Sequence, residues 1–97
     1  MPYVHDSIRS EVDKELDALI TAMTNTIREH GKPEGTANYV ITRILDKLFI
    51  NGKPSYANIN AMTGVLECAK MEAYRRIAGP YENMAMNKSG DVYQEIR

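Results

Sequence analysis

Ile8, Val12, Leu16, Leu19, Ile20, Met23 and Ile27 recur at steps of three and four, which places them on one stripe of a helix whose other face is charged. The pattern predicts a helix over 6–30. Asp6 or Ser7 is placed to cap it, Arg28 and His30 suit its negative C-terminal end, and Gly31 stops it with Pro33 behind. Val40, Ile41, Ile44, Leu45, Leu48 and Phe49 repeat the spacing over 36–50, behind Thr36 as cap. That apolar face is broad enough to predict a mostly buried helix. Asn51-Gly52-Lys53-Pro54 then echoes Gly31-Lys32-Pro33. Pro54 cannot donate into a strand ladder, so the echo reads as a second helix stop, not a hairpin.

A third helix is predicted over 55–78, with Ser55 as cap and Ile59, Met62, Leu66, Ala69, Ala73 and Ile77 as its core stripe. Gly64 lies in the middle of it, where glycine costs about 1 kcal/mol relative to alanine. A close helix crossing is the expected compensation, with a ligand approaching the backbone as the alternative. Gly79-Pro80 breaks or kinks the helix, and Pro80 opens a short fourth one over 80–87. The segment 88–97 reads as a turn at Ser89-Gly90-Asp91 and a tail that Val92, Tyr93 and Ile96 equip to dock. The expected fold is all-α: one domain over 1–97, a small bundle of three main helices, a kinked or short fourth helix after Gly79-Pro80, and a C-terminal tail. The short link between the second and third helices predicts antiparallel packing.

Composition adds bounds to this picture. A chain of 97 residues buries only about 60 to 65% of its unfolded surface, so association into a homo-oligomer is expected. Twelve basic against 13 acidic residues give no long-range pull towards DNA, RNA or an anionic membrane. Cys68 is the single cysteine, expected as a buried thiol in a reducing compartment. No apolar run spans a bilayer and the first residues lack a basic, apolar signal, so the cytoplasm is the expected location, the host's if the chain is phage-encoded. Cys68, His5 and His30 sit on separate segments and match no nucleophile or metal spacing. No phosphate-cradling glycine loop is present either. The expectation is therefore a protein without catalytic residues, metal or cofactor.

What the core pattern leaves unused is polar and aromatic. On an α-helical period Asn60, Gly64, Glu67, Met71, Tyr74 and Arg75 share a face beside the third helix's core stripe. Asparagine and glutamate can read donor and acceptor edges, tyrosine stacks on flat rings, and arginine grips phosphate with a planar fork. Asn38, Tyr39 and Arg43 repeat these types at the start of the second helix. If the two helices lie antiparallel, both groups approach one pocket. The plainer reading pairs Glu67 with Lys70 and Glu72 with Arg76, and packs Tyr74 and Tyr39 between helices.

Asn38-Tyr39-Val40-Ile41-Thr42-Arg43, Ser55-Tyr56, Ile59-Asn60, Gly64, Leu66-Glu67, Lys70, Glu72, Tyr74-Arg75-Arg76, Pro80-Tyr81-Glu82 and Gly90-Asp91-Val92-Tyr93 together make a pattern covering about two thirds of the chain. In it the sequence resembles a family of small helical proteins of bacteriophages and prophage regions. In size and character it is also similar to phage sponges that sequester nucleotide immune signals, such as the cyclic dinucleotides of CBASS defence. The resemblance implies stoichiometric capture that blocks host antiphage defence. Arg43, Arg75 or Arg76 would neutralise phosphates, Tyr39, Tyr74 or Tyr81 would stack on bases, and Asn60 with Glu67 would read base edges. Tyr56 and Lys70 complete the candidate ligand-binding set. The competing expectation is a structural or adaptor protein whose tyrosines and arginines anchor a homo-oligomer or grip a host protein.

Overall fold

A computed structural model describes residues 2–94, and among them the chain is helical with no strand. The expected tail position Ile96 lies outside the described residues. Helix α1 runs Asp6–His30, α2 Pro33–Leu45, α3 Tyr56–Ala73 and α4 Gly79–Ser89. Five-residue π-helical turns, Asp46–Ile50 and Tyr74–Ala78, continue α2 and α3. The chain divides into two compact units, Tyr3–Thr63 and the part from Gly64 onward.

In the first unit the helix ends follow local chemistry, partly at residues other than those expected. His5, not Asp6 or Ser7, is the N-cap of α1, and its Nδ1 accepts from the Ser7 N–H at 3.2 Å. Gly31 ends the helix at φ 74°, with its N–H on the Ile27 carbonyl. Lys32 follows at φ 62°, so a connection of two left-handed residues turns the chain into α2. Helix α2 begins at Pro33, three residues before the expected cap Thr36. Proline suits the first helical position because its missing N–H would have no partner there. At the far end Asn51, at φ 47°, donates its N–H to the Asp46 carbonyl and closes the first π turn. Ser55 caps α3 as expected, its Oγ accepting from the Asn58 N–H at 3.1 Å.

Burial is sparse. Helices α1 and α2 touch, and the half-buried Leu19, Met23, Ile27, Val40, Phe49 and Ile50 lie in this unit with Leu45. Leu45, at 8% exposure, is the one buried residue among those described. The expectation of a mostly buried second helix fails, since Ile41, Ile44 and Leu48 stand open to solvent. On α1 the residues Ile8, Val12, Leu16 and Ile20 of the predicted core stripe are exposed as well.

In the second unit the helical winding is not broken at Gly79-Pro80, and the expected short fourth helix is present, starting at Gly79 with Pro80 in its first turn. Pro80 has no N–H for the carbonyl four residues back, and the chain widens by one residue ahead of it: the Gly79 N–H reaches the Tyr74 carbonyl. Helix α4 then runs through Ser89, two residues beyond the expected end, to Gly90 at φ 89°. Asp91 Oδ1 accepts from the Tyr93 N–H at 2.9 Å, which makes the expected turn. Among the described residues no close crossing of the kind expected at Gly64 is found, because a Cβ built there meets nothing within 4 Å.

Replacement Ser55→Ala removes the α3 cap and should lower stability by about 1 kcal/mol, while Ser55→Asp keeps it. Urea unfolding followed by circular dichroism measures both, and equal midpoints for Ser55→Ala and the parent would contradict the cap's contribution.

Candidate functional site

The eleven candidate residues divide between the two units. Asn38, Tyr39, Arg43, Tyr56 and Asn60 belong to the first, and Glu67, Lys70, Tyr74, Arg75, Arg76 and Tyr81 to the second. All eleven are exposed. Tyr39, Tyr56, Tyr74 and Tyr81 each keep 61% or more of their surface open, so Tyr39 and Tyr74 do not pack between helices as the plainer reading had them.

Within the first unit Tyr39 and Arg43 stand one helical turn apart on α2, where i and i+4 side chains meet. Arg43 Nη1 donates to the Tyr39 hydroxyl at 2.9 Å, and its guanidinium carbon lies 5.8 Å from the ring centroid. One contact is a hydrogen bond and the other a cation–π approach. Together they hold the guanidinium beside an aromatic face while both groups remain at the surface.

In the second unit the helix's own charges pair first. Lys70 Nζ lies 3.4 Å from Glu67 Oε1, the pairing expected from their spacing. Glu72 pairs with Arg75, not with Arg76. Arg75 donates from Nε to Oε2 at 3.3 Å and from Nη2 to Oε1, a two-pronged grip that a planar guanidinium makes on a carboxylate. An α-helical period would put Arg76 opposite Glu72, but both arginines fall on the π turn, whose wider winding changes their angular positions. Arg76 makes no ion pair among the described residues. The π turn also limits the predicted recognition face: Tyr74 and Arg75 are its first two residues, where the wider winding begins, and beyond Ala78 the offset from 3.6 residues per turn reaches about one residue, roughly 100° of rotation.

A groove of about 350 Å³ lies elsewhere in this unit, between α4 and the segment after it. It is lined by Glu82, Asn83, Ala85, Met86, Ser89, Gly90, Asp91, Val92 and Tyr93 and includes none of the eleven candidates. The sequence signalled its outer wall through Gly90-Asp91-Val92-Tyr93, whereas Asn83 and Met86 carry no pattern that would single them out. Cys68 is exposed, which corrects the expectation of a buried thiol. Among the described residues no group of three or more His, Cys, Asp or Glu side chains is arranged to hold a metal ion, and no helix is long and apolar enough to cross a membrane.

The arrangement therefore offers exposed aromatic and cationic groups on helix faces instead of a closed pocket around the predicted residues. Neither the curated proteins nor the solved structures contain a match to the chain. A family model, described as a domain of unknown function, DUF6899, matches residues 1–92. The chain belongs to the DUF6899 family.

Proposed function

We propose that this chain is a non-enzymatic helical protein that works through contacts of its helix faces, first of all with further copies of itself, as a structural or adaptor component of the cytoplasm. The observation that carries this reading is the burial pattern: among the described residues Leu45 alone is buried, while large apolar side chains stand open on all four helices. Net stability is the small remainder of large opposing terms, and burial of apolar surface is the main favourable one. Open aliphatic stripes on folded helices leave that term incomplete, and association supplies it. Light scattering coupled to size exclusion should give a mass that is a multiple of 11.0 kDa at micromolar concentration. The melting temperature should rise with protein concentration, as it does when folding and association are linked. A monomer at tens of micromolar with a concentration-independent melt would overturn the reading.

The pairing of Tyr39 with Arg43 favours a second function on the same scaffold, capture of a nucleotide-type ligand. An exposed ring able to stack and a guanidinium already steadied by the phenol oxygen match a base and its phosphate. On this reading the chain acts as a phage-type sponge that sequesters a cyclic dinucleotide-like immune signal and blocks host defence. Calorimetry with cyclic and linear nucleotides should give saturable heat that Arg43→Ala weakens about tenfold or more, the usual scale for a lost charge-assisted contact. Uniform absence of heat and of thermal shift across the panel would remove this second function.

A further inference from the structure

The assembly reading leaves open which surface meets its copy, and the first unit holds one that is large enough by itself. Helices α1 and α2 are joined through only Gly31 and Lys32 and touch, so they form a hairpin. On α1 the residues Ile8, Val12, Leu16 and Ile20 follow one another at steps of four and remain 45–51% exposed, on the same helix face as the half-buried Leu19, Met23 and Ile27. On α2 and its π turn Ile41, Ile44 and Leu48 are 43–72% exposed, on the face that carries the half-buried Ala37 and Val40 and the buried Leu45. Both apolar faces of the hairpin are thus covered only in part.

An extended chain exposes about 1.45 Å² per dalton, so these seven residues, at their exposures in the fold, leave about 560 Å² in water. Stable interfaces take roughly 800 Å² from each partner, and at the roughly 65% apolar share of homodimer interfaces this is about 520 Å² of apolar surface. One hairpin therefore carries the apolar area that one side of a dimer needs, with nothing asked of the second unit. The strips also match in length: Ile8 to Ile20 spans about 18 Å and Ala37 to Leu48 about 17 Å at about 1.5 Å per residue.

Their rims have opposite sign. Glu11 and Glu15 run along one side of the α1 strip and Asp13 and Asp17 along the other, and none of the four has an ion-pair partner among the described residues. Lys14 is on the opposite face of α1, and Arg9 is held by the Val4 carbonyl and Asp6. Along α2 Arg43 and Lys47 stand one turn apart on the edge beyond Val40 and Ile44, also without an ion pair among the described residues, while Asp46 is on the far face.

We propose that the hairpins of two copies pair about a two-fold axis, the open α1 strip of each laid on the Ile41, Ile44 and Leu48 face of the other, with Arg43 and Lys47 against the α1 carboxylates. This rests on the assembly reading and assigns its interface. Charge selects α1 against α2, because α1 against α1 would bring eight unpaired carboxylates together, a like-charge juxtaposition that disfavours association. Two-fold symmetry forms each contact twice and closes the pair.

Charge exchange tests it. A variant with Arg43→Glu and Lys47→Glu presents acid to acid in its own dimer, and a variant with Glu11→Lys and Glu15→Lys presents base to base. Sedimentation should show each alone dissociating at about tenfold or more higher concentration than the parent, and an equimolar mixture recovering a heterodimer at near-parental concentration. Circular dichroism of each variant checks that the helices are retained, and recovery on mixing excludes misfolding as the cause of dissociation. If the parent associates and either variant associates as tightly, or mixing restores nothing, the interface assignment is overturned while the assembly reading stands. A monomeric parent overturns both.

Discussion

Apolar surface left in water is the constraint on which the rest of this structure depends. The helices are well specified locally, with His5 and Ser55 as caps and left-handed residues at the stops, yet helix formation alone buries little. A helix as long as the 25-residue α1 draws most of its stability from an amphipathic face laid against something else. Here that face is half covered in one part and open in another. Apolar side chains of the kind that form the core of a larger domain are left at the surface.

The same constraint organises the charges. Where a helix can satisfy its own ions, it does so, as in Lys70 with Glu67 and Arg75 with Glu72. An exposed pair such as Lys70 with Glu67 contributes little to stability, commonly below about 1 kcal/mol. Their effect on recognition is larger, because a guanidinium already engaged by a carboxylate is a poorer phosphate grip than a solitary one. Arg43 differs, since its partner is a neutral phenol that orients the cation without cancelling it. Among the candidate arginines, Arg43 is held by a neutral phenol, while Arg75 takes the ion-paired role that the plainer reading gave to Arg76.

Much of the architecture was legible in the sequence because helix periods, caps and stops are local. Gly31, Asn51 and Gly90 mark ends that follow from left-handed backbone preference, and Ser55 from its short hydroxyl. Two kinds of error remained. Pro33 was read only as following a helix stop, though proline is tolerated in a first turn and here begins α2. The second error concerned burial. An apolar stripe states that a face needs covering, but periodicity carries no information about whether the cover lies in the same chain, so Ile41, Ile44 and Leu48 read as core and stand exposed. The candidate face reaches the π turn only at Tyr74 and Arg75, and the pocket expected around it presumed antiparallel packing of the second and third helices.

That π turn has a consequence for any partner that follows the helix. From Gly64 to Ser89 the backbone is continuous, but side chains before Tyr74 and after Ala78 are set in different angular phases, like two threads cut on one bolt. A straight helical partner can stay in mesh with one thread only. Tyr74–Ala78 is therefore a boundary between two angular phases of side chains, set without any break in the chain that carries them.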